Sequence, residues 1–123
     1  MAALNQIVGE EVAWYAGSDG LGFGQRMLRI LDHERCVYGV VAIEHPRPKG
    51  YDIYSDVVVM ACIVDNIVVI EEDATDRPLV DRLIARGIPR SQIVLAYAGE
   101  PLPDADKWSD PLLYPPSEPV KTP

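Results

Sequence analysis

DVVVMACIVDNIVVIEE, residues 56–72, holds two runs of β-branched residues separated by a two-residue interruption, Asp65-Asn66. Val, Ile and their kin crowd a helix but pack well on a pleated surface, so both runs read as strands. A two-residue link of this type is a hairpin signal, because asparagine tolerates the positive φ that such turns demand. The first run is almost continuously apolar, as expected of a central strand covered on both faces.

Downstream, Thr75 is placed to cap a helix through its side-chain oxygen, and Pro78 is tolerated in a first turn. Leu79, Val80, Leu83 and Ile84 then form an apolar stripe, with Asp81, Arg82 and Arg86 expected to face water. Gly87 ends that helix in the left-handed conformation and Pro89 prevents its resumption. QIVLAYA, residues 92–98, reads as a last strand.

Upstream, RMLRILD (residues 26–32) and CVYGVVAIE (residues 36–44) read as a hairpin joined by HER. HPRPKGYDIYS, broken by Pro46, Pro48 and Gly50, is a loop. Residues 3–16 read as a helix, with Leu4, Ile7, Val8, Val12 and Tyr15 on one stripe. Gly9 inside it costs about 1 kcal/mol relative to alanine. The sum is an α+β fold: a mainly antiparallel five-stranded sheet, an N-terminal helix, and one helix over about 75–87 packed on the sheet. One domain over residues 1–98 is expected. Residues 99–123, with seven prolines, form a tail without a fold of its own.

The chain has 123 residues, 48% of them apolar, enough for one core. Its net charge of −8 opposes non-specific DNA binding, which needs basic side chains on phosphates. It favours solubility and a basic protein partner. Cys36 and Cys62 lie in apolar runs without metal-ligand spacing. They read as two buried reduced thiols, with a disulfide between them as the alternative. No run reaches the roughly 20 apolar residues of a membrane-spanning helix. The N-terminus lacks the basic and apolar segments of a signal peptide. A soluble, cytoplasmic protein is expected, with no membrane partner.

GLGFG, residues 20–24, resembles a phosphate-binding loop but joins a helix to a strand, the reverse of the required order. It serves as a flexible connection. His33 and His45 flank a strand of eight residues, which at about 3.3 Å each holds them too far apart to share a metal. Glu71, Glu72, Asp73 and Asp76 form an acidic cluster of the kind that can hold magnesium. Alternation sends Glu71 and Glu72 to opposite faces, while the aspartates suit a helix start. The serines, Ser18, Ser55, Ser91, Ser109 and Ser117, stand in no nucleophile motif. Arg47 and Lys49 sit among Glu44, Asp52 and Asp56, so HPRPKGYDIY is not a basic patch. Catalytic residues, metal ligands and cofactor sites are all expected to be absent.

The block VDNIVVIEEDATDRPLVDRLIARGIPRSQIVLAY resembles the XisI family, controlling factors for excision of the fdxN element. The likeness rests on Asp65 at the turn, Asp73 and Thr75 at the helix start, Gly87-Ile88-Pro89 at the helix end, and Ile93-Val94-Leu95. Asp32, Glu34, Arg35 and Tyr38 fit the family's upstream hairpin, and the N-terminal helix is compatible, so the likeness covers most of residues 4–98. Asn66, Asp76, Met60, Cys62 and Val69 depart from the family's usual residues, and the tail from its usual ending. The resemblance implies a non-enzymatic accessory protein acting through a protein partner, XisH-like, in DNA excision or a related process. An antitoxin-like role masking a nuclease-fold partner is the alternative, and a small hydrolase or ligand-binding protein the third reading. A homodimer through an exposed sheet edge is expected. Direct nucleic-acid binding is not.

Overall fold

The structure is a computed structural model that describes residues 2–17, 21–22, 25–44 and 55–103. Its elements, in chain order, are α1 (Leu4–Trp14), β1 (Leu21–Gly22), β2 (Gln25–Asp32), β3 (Val37–Glu44), β4 (Ser55–Val64), β5 (Ile67–Asp73), α2 (Leu79–Ala85) and β6 (Ile93–Leu95). All strands form one sheet in sequence order, antiparallel except for the parallel pair β5–β6. The fold is α+β, and the five expected strands are present. The two-residue β1 adds a short flap at the edge beside Gln25 and Arg26.

The central hairpin forms as its sequence dictates. Asp65 and Asn66 both adopt positive φ, 52° and 64°, in the tight link between β4 and β5. Parallel pairing of β5 with β6 requires the chain to cross over, and the segment carrying α2 makes that crossing.

Two bulges interrupt the ladders. Val40 pairs with Val59 but Val41 with Val57, leaving Val58 as the extra residue on β4. Ala61 pairs with Ile70 but Met60 with Glu72, leaving Glu71 as the extra residue on β5. Simple alternation for Glu71 and Glu72 therefore fails, because the ladder slips between them.

One face of the sheet carries both helices. Ile7, Val8, Val12 and Ala16 of α1 and Leu79 and Leu83 of α2 join Tyr38, Val40, Val59, Ala61, Val68 and Ile70 in one core. Gly9 explains itself there. A Cβ at this position would sit 3.3 Å from Tyr38 Cε1 and 3.4 Å from His33 Cε1, so a side chain there would press on the Tyr38 ring.

Several local expectations need correction. α1 ends at Trp14, and backbone turns through Ala16 and Gly17 complete its last turn. α2 begins at Leu79 rather than near Thr75, because proline at 78 disfavours helical backbone at Arg77. Thr75 is not the cap. Asp73 takes that role from outside the helix: its Oδ2 accepts the Leu79 N–H at 2.7 Å, and its Oδ1 accepts the Thr75 N–H at 3.0 Å. The Thr75 hydroxyl donates to the same Oδ1 at 2.6 Å and so holds the carboxylate in place.

The other end of α2 follows expectation. Gly87 takes φ 95°, with its N–H on the Ile84 carbonyl and the Ile88 N–H on that of Leu83. Ile84 is exposed instead of joining the stripe. β6 stops at Leu95, where Ala96–Ala98 curl into a 3-10 turn closed by Gly99. His45, the loop around Arg47 and Lys49, most of the glycine run, and the tail beyond Pro103 lie outside the described residues.

Candidate functional site: the surface between the two helices

α1 and α2 lie side by side on the sheet, and side chains across their seam form a surface built of stacked rings and ion pairs. Trp14 closes α1 and is 45% exposed. The Arg82 guanidinium stacks over its ring at 3.7 Å from the centroid, and Arg77 approaches to 5.8 Å. Tyr15 meets Trp14 edge-on, with centroids 5.2 Å apart, and its hydroxyl donates to the Arg77 carbonyl. Burial, with a smaller contribution from Asp73, pushes the Tyr15 phenol up to about 12, so it remains a hydrogen-bond donor at neutral pH.

Ion pairs tie the two helices together beside this aromatic pair. Arg82 reaches Glu11 at 2.9 Å, and Arg86 reaches Glu11 at 2.8 Å and Glu10 at 3.0 Å. Arg86 holds the Glu10 carboxyl below its usual range. Arg82 and Arg86, expected in water, are instead the seam between the helices. The buried Arg82 Nε has no hydrogen-bond partner among the described residues. Among the described residues Arg77 has no carboxylate partner, and its guanidinium lies near the exposed indole.

The remaining candidates do not converge. Among the described residues no group of three His, Cys, Asp or Glu side chains is arranged to hold a metal ion. His33 Nδ1 lies 3.0 Å from the Tyr38 hydroxyl, a partner within its own hairpin. Asp73 is occupied with backbone. Glu71 has a buried Oε1 without a partner, and burial raises its pKa. Cys36 and Cys62 are free thiols, half-buried rather than fully buried. Burial and then Glu71 push the Cys62 thiol up to about 12, away from the thiolate needed for reactivity. No helix among the described residues is long and apolar enough to cross a membrane.

The residue that sequence reading missed is Trp14. Its signal was faint: a large aromatic next to, rather than on, the apolar stripe of α1.

The family model for XisI protein matches residues 4–105. The chain belongs to the XisI family. Among solved structures, it is similar to a XisI-like protein from Anabaena variabilis ATCC 29413, with 26% identity and a TM-score of 0.62. That likeness covers 74% of this chain and 81% of the other. The fdxN element excision controlling factor XisI from the same organism shares the fold, with 23% identity and a TM-score of 0.60 over 76% of this chain and 88% of that one. No match was found among curated proteins.

Proposed function

We propose that this XisI-family protein is a non-enzymatic, cytoplasmic accessory factor that acts through a protein partner, XisH-like, in site-specific DNA excision or related control of DNA processing. One observation carries the reading: the exposed Trp14 on the helical surface, stacked under Arg82 and approached by Arg77. Tryptophan, tyrosine and arginine are the residues in which binding energy at protein interfaces concentrates. Arg82 fixes the indole in advance, so little side-chain freedom remains to be lost on docking. The Arg77 guanidinium, which has no carboxylate partner among the described residues, suits a carboxylate of the partner. The name of the fdxN element excision controlling factor supports the process, and a net charge of −8 favours protein over DNA as the immediate target.

Calorimetric titration of a purified XisH-like protein with the full chain tests this reading. The expected result is saturable binding that Trp14→Ala weakens by roughly 30-fold or more, the scale of a hot-spot residue. Absence of binding, or binding indifferent to Trp14→Ala, would overturn it. Growth arrest by the partner alone, relieved by this chain, would point to neutralisation of a nuclease instead.

A further inference from the structure

We infer that two copies of this chain join through the free edge of β2, which pairs antiparallel with its own symmetry mate in a register centred on Ile30. The inference stands apart from the partner reading above, because it uses the opposite end of the sheet from α2 and β6.

β2 is paired with β3 along its whole length, but on its other side β1 covers only Gln25 and Arg26. Among the described residues no strand pairs with the outer edge of Met27–Asp32. Strand backbone left open in this way presents alternating N–H and C=O groups to any strand that can reach them. Soluble proteins blunt such edges with lysine, proline, bulges or brevity. β6, at the other edge, is only three residues long. Among the described residues Met27–Asp32 has no proline, bulge or covering strand on that side, and Leu28, Ile30 and Leu31 are 39%, 39% and 44% exposed. Its two charges are engaged elsewhere. Arg29 donates to the Gly17 and Ala13 carbonyls at the end of α1, and Asp32 accepts the Arg35 N–H at 3.0 Å in the adjoining turn.

Symmetry selects the register. A two-fold axis normal to the sheet makes the pair antiparallel and keeps both sets of helices on one face. Residues opposite one another in such a pair share a face, and alternate residues change face. A residue must therefore oppose one at an even separation, so the axis passes through a residue rather than between two. An axis at Arg29 would send Asp32 to the place beside Arg26 that Leu21 already occupies. An axis at Ile30 clears β1 and gives the longest remaining register. Ile30 then faces Ile30, Arg29 faces Leu31, and Leu28 faces Asp32. Leu28 and Ile30 of both copies form one apolar row on the face without helices. The pairing uses up the long free edge of each copy, so the assembly closes at two.

Light scattering of the full chain at about 50 μM is expected to give twice the 13.6 kDa chain mass. Ile30→Lys should return the mass to that of one chain with unchanged circular dichroism, since the side chain is exposed in the single copy. Under mild oxidation Ile30→Cys should give a disulfide-linked dimer. Leu28→Cys should not, because the two-fold sets its copies four residues apart along the strand, beyond disulfide reach. A wild-type mass of one chain would overturn the inference. So would a dimer that survives Ile30→Lys, or cross-linking through Leu28→Cys in preference to Ile30→Cys, and the cysteine variants read the register even if the lysine variant fails to fold.

Discussion

β5 and β2 are strands of similar length and apolar content with opposite fates. In β5, Val68, Val69 and Ile70 are completely buried, whereas in β2 Leu28, Ile30 and Leu31 keep two-fifths of their surface in water. The difference lies in neighbours rather than composition. β5 has β4 on one side, β6 on the other, and α2 above; β2 has one full partner and sits at the margin of α1. Apolar residues in a strand therefore say that a surface wants covering, and only the topology says whether the chain covers it itself.

Core truncation should separate the two regions most. Leu83 of α2 is fully buried in the core shared with β5, and Leu83→Ala is expected to cost about 2–5 kcal/mol. Ile30→Ala on β2 removes a half-exposed side chain and should cost under about 1 kcal/mol, when unfolding is followed by urea at protein concentrations low enough to keep the chain single. Similar losses at both sites would mean that β2 is covered within its own chain.

The link between β5 and α2 comes next. Asp73 serves the backbone at both Thr75 and Leu79, so Asp73→Ala should cost roughly 1–2 kcal/mol. Thr75→Ala should cost less, because the carboxylate retains its two backbone donors. The reverse order in urea midpoints would restore Thr75 as the dominant cap.

Alkaline titration gives a smaller and more gradual effect. The folded chain holds the Cys62 proton up to about 12 against an ordinary value of 9.0, and that of Tyr15 to about 12 against 10.0. Both values are raised in the folded state, so these groups contribute stability at lower pH that is lost as pH rises. Between about pH 9 and 12 the unfolded chain releases both protons while the folded chain keeps them. Melting temperature should be insensitive to these groups from pH 7 to 9 and fall above it. In Cys62→Ala the fall should be shallower.

What was legible in the sequence was local. The β4–β5 hairpin could be read from β-branched runs and Asp65-Asn66, and the end of α2 from Gly87 and Pro89, because each is decided by backbone preference within a few residues. Thr75 failed as a cap because a carboxylate two residues earlier reaches the same N–H groups once the chain turns at Pro78. Arg82 and Arg86 were assigned to water from the pattern of α2 alone, which carries no record of Glu10 and Glu11 on α1. Glu71 was misplaced because the bulge that takes it out of alternation belongs to the pairing with β4. The interhelical surface is illegible for the same reason: Trp14 is far in sequence from Arg77 and Arg82, and they meet only where α1 packs beside α2 and the segment leading into it. XisI membership, by contrast, could be read from turn, cap and strand motifs, since those are the same local features that fix the fold.

On the proposed function, this protein reaches DNA processing through another protein rather than through DNA itself. Fluorescence anisotropy of a labelled duplex, titrated with the purified chain at about 150 mM salt, tests it most directly. The chain alone is expected to show no measurable binding. Tight, sequence-dependent binding without a partner would contradict it and make this a DNA-recognition protein.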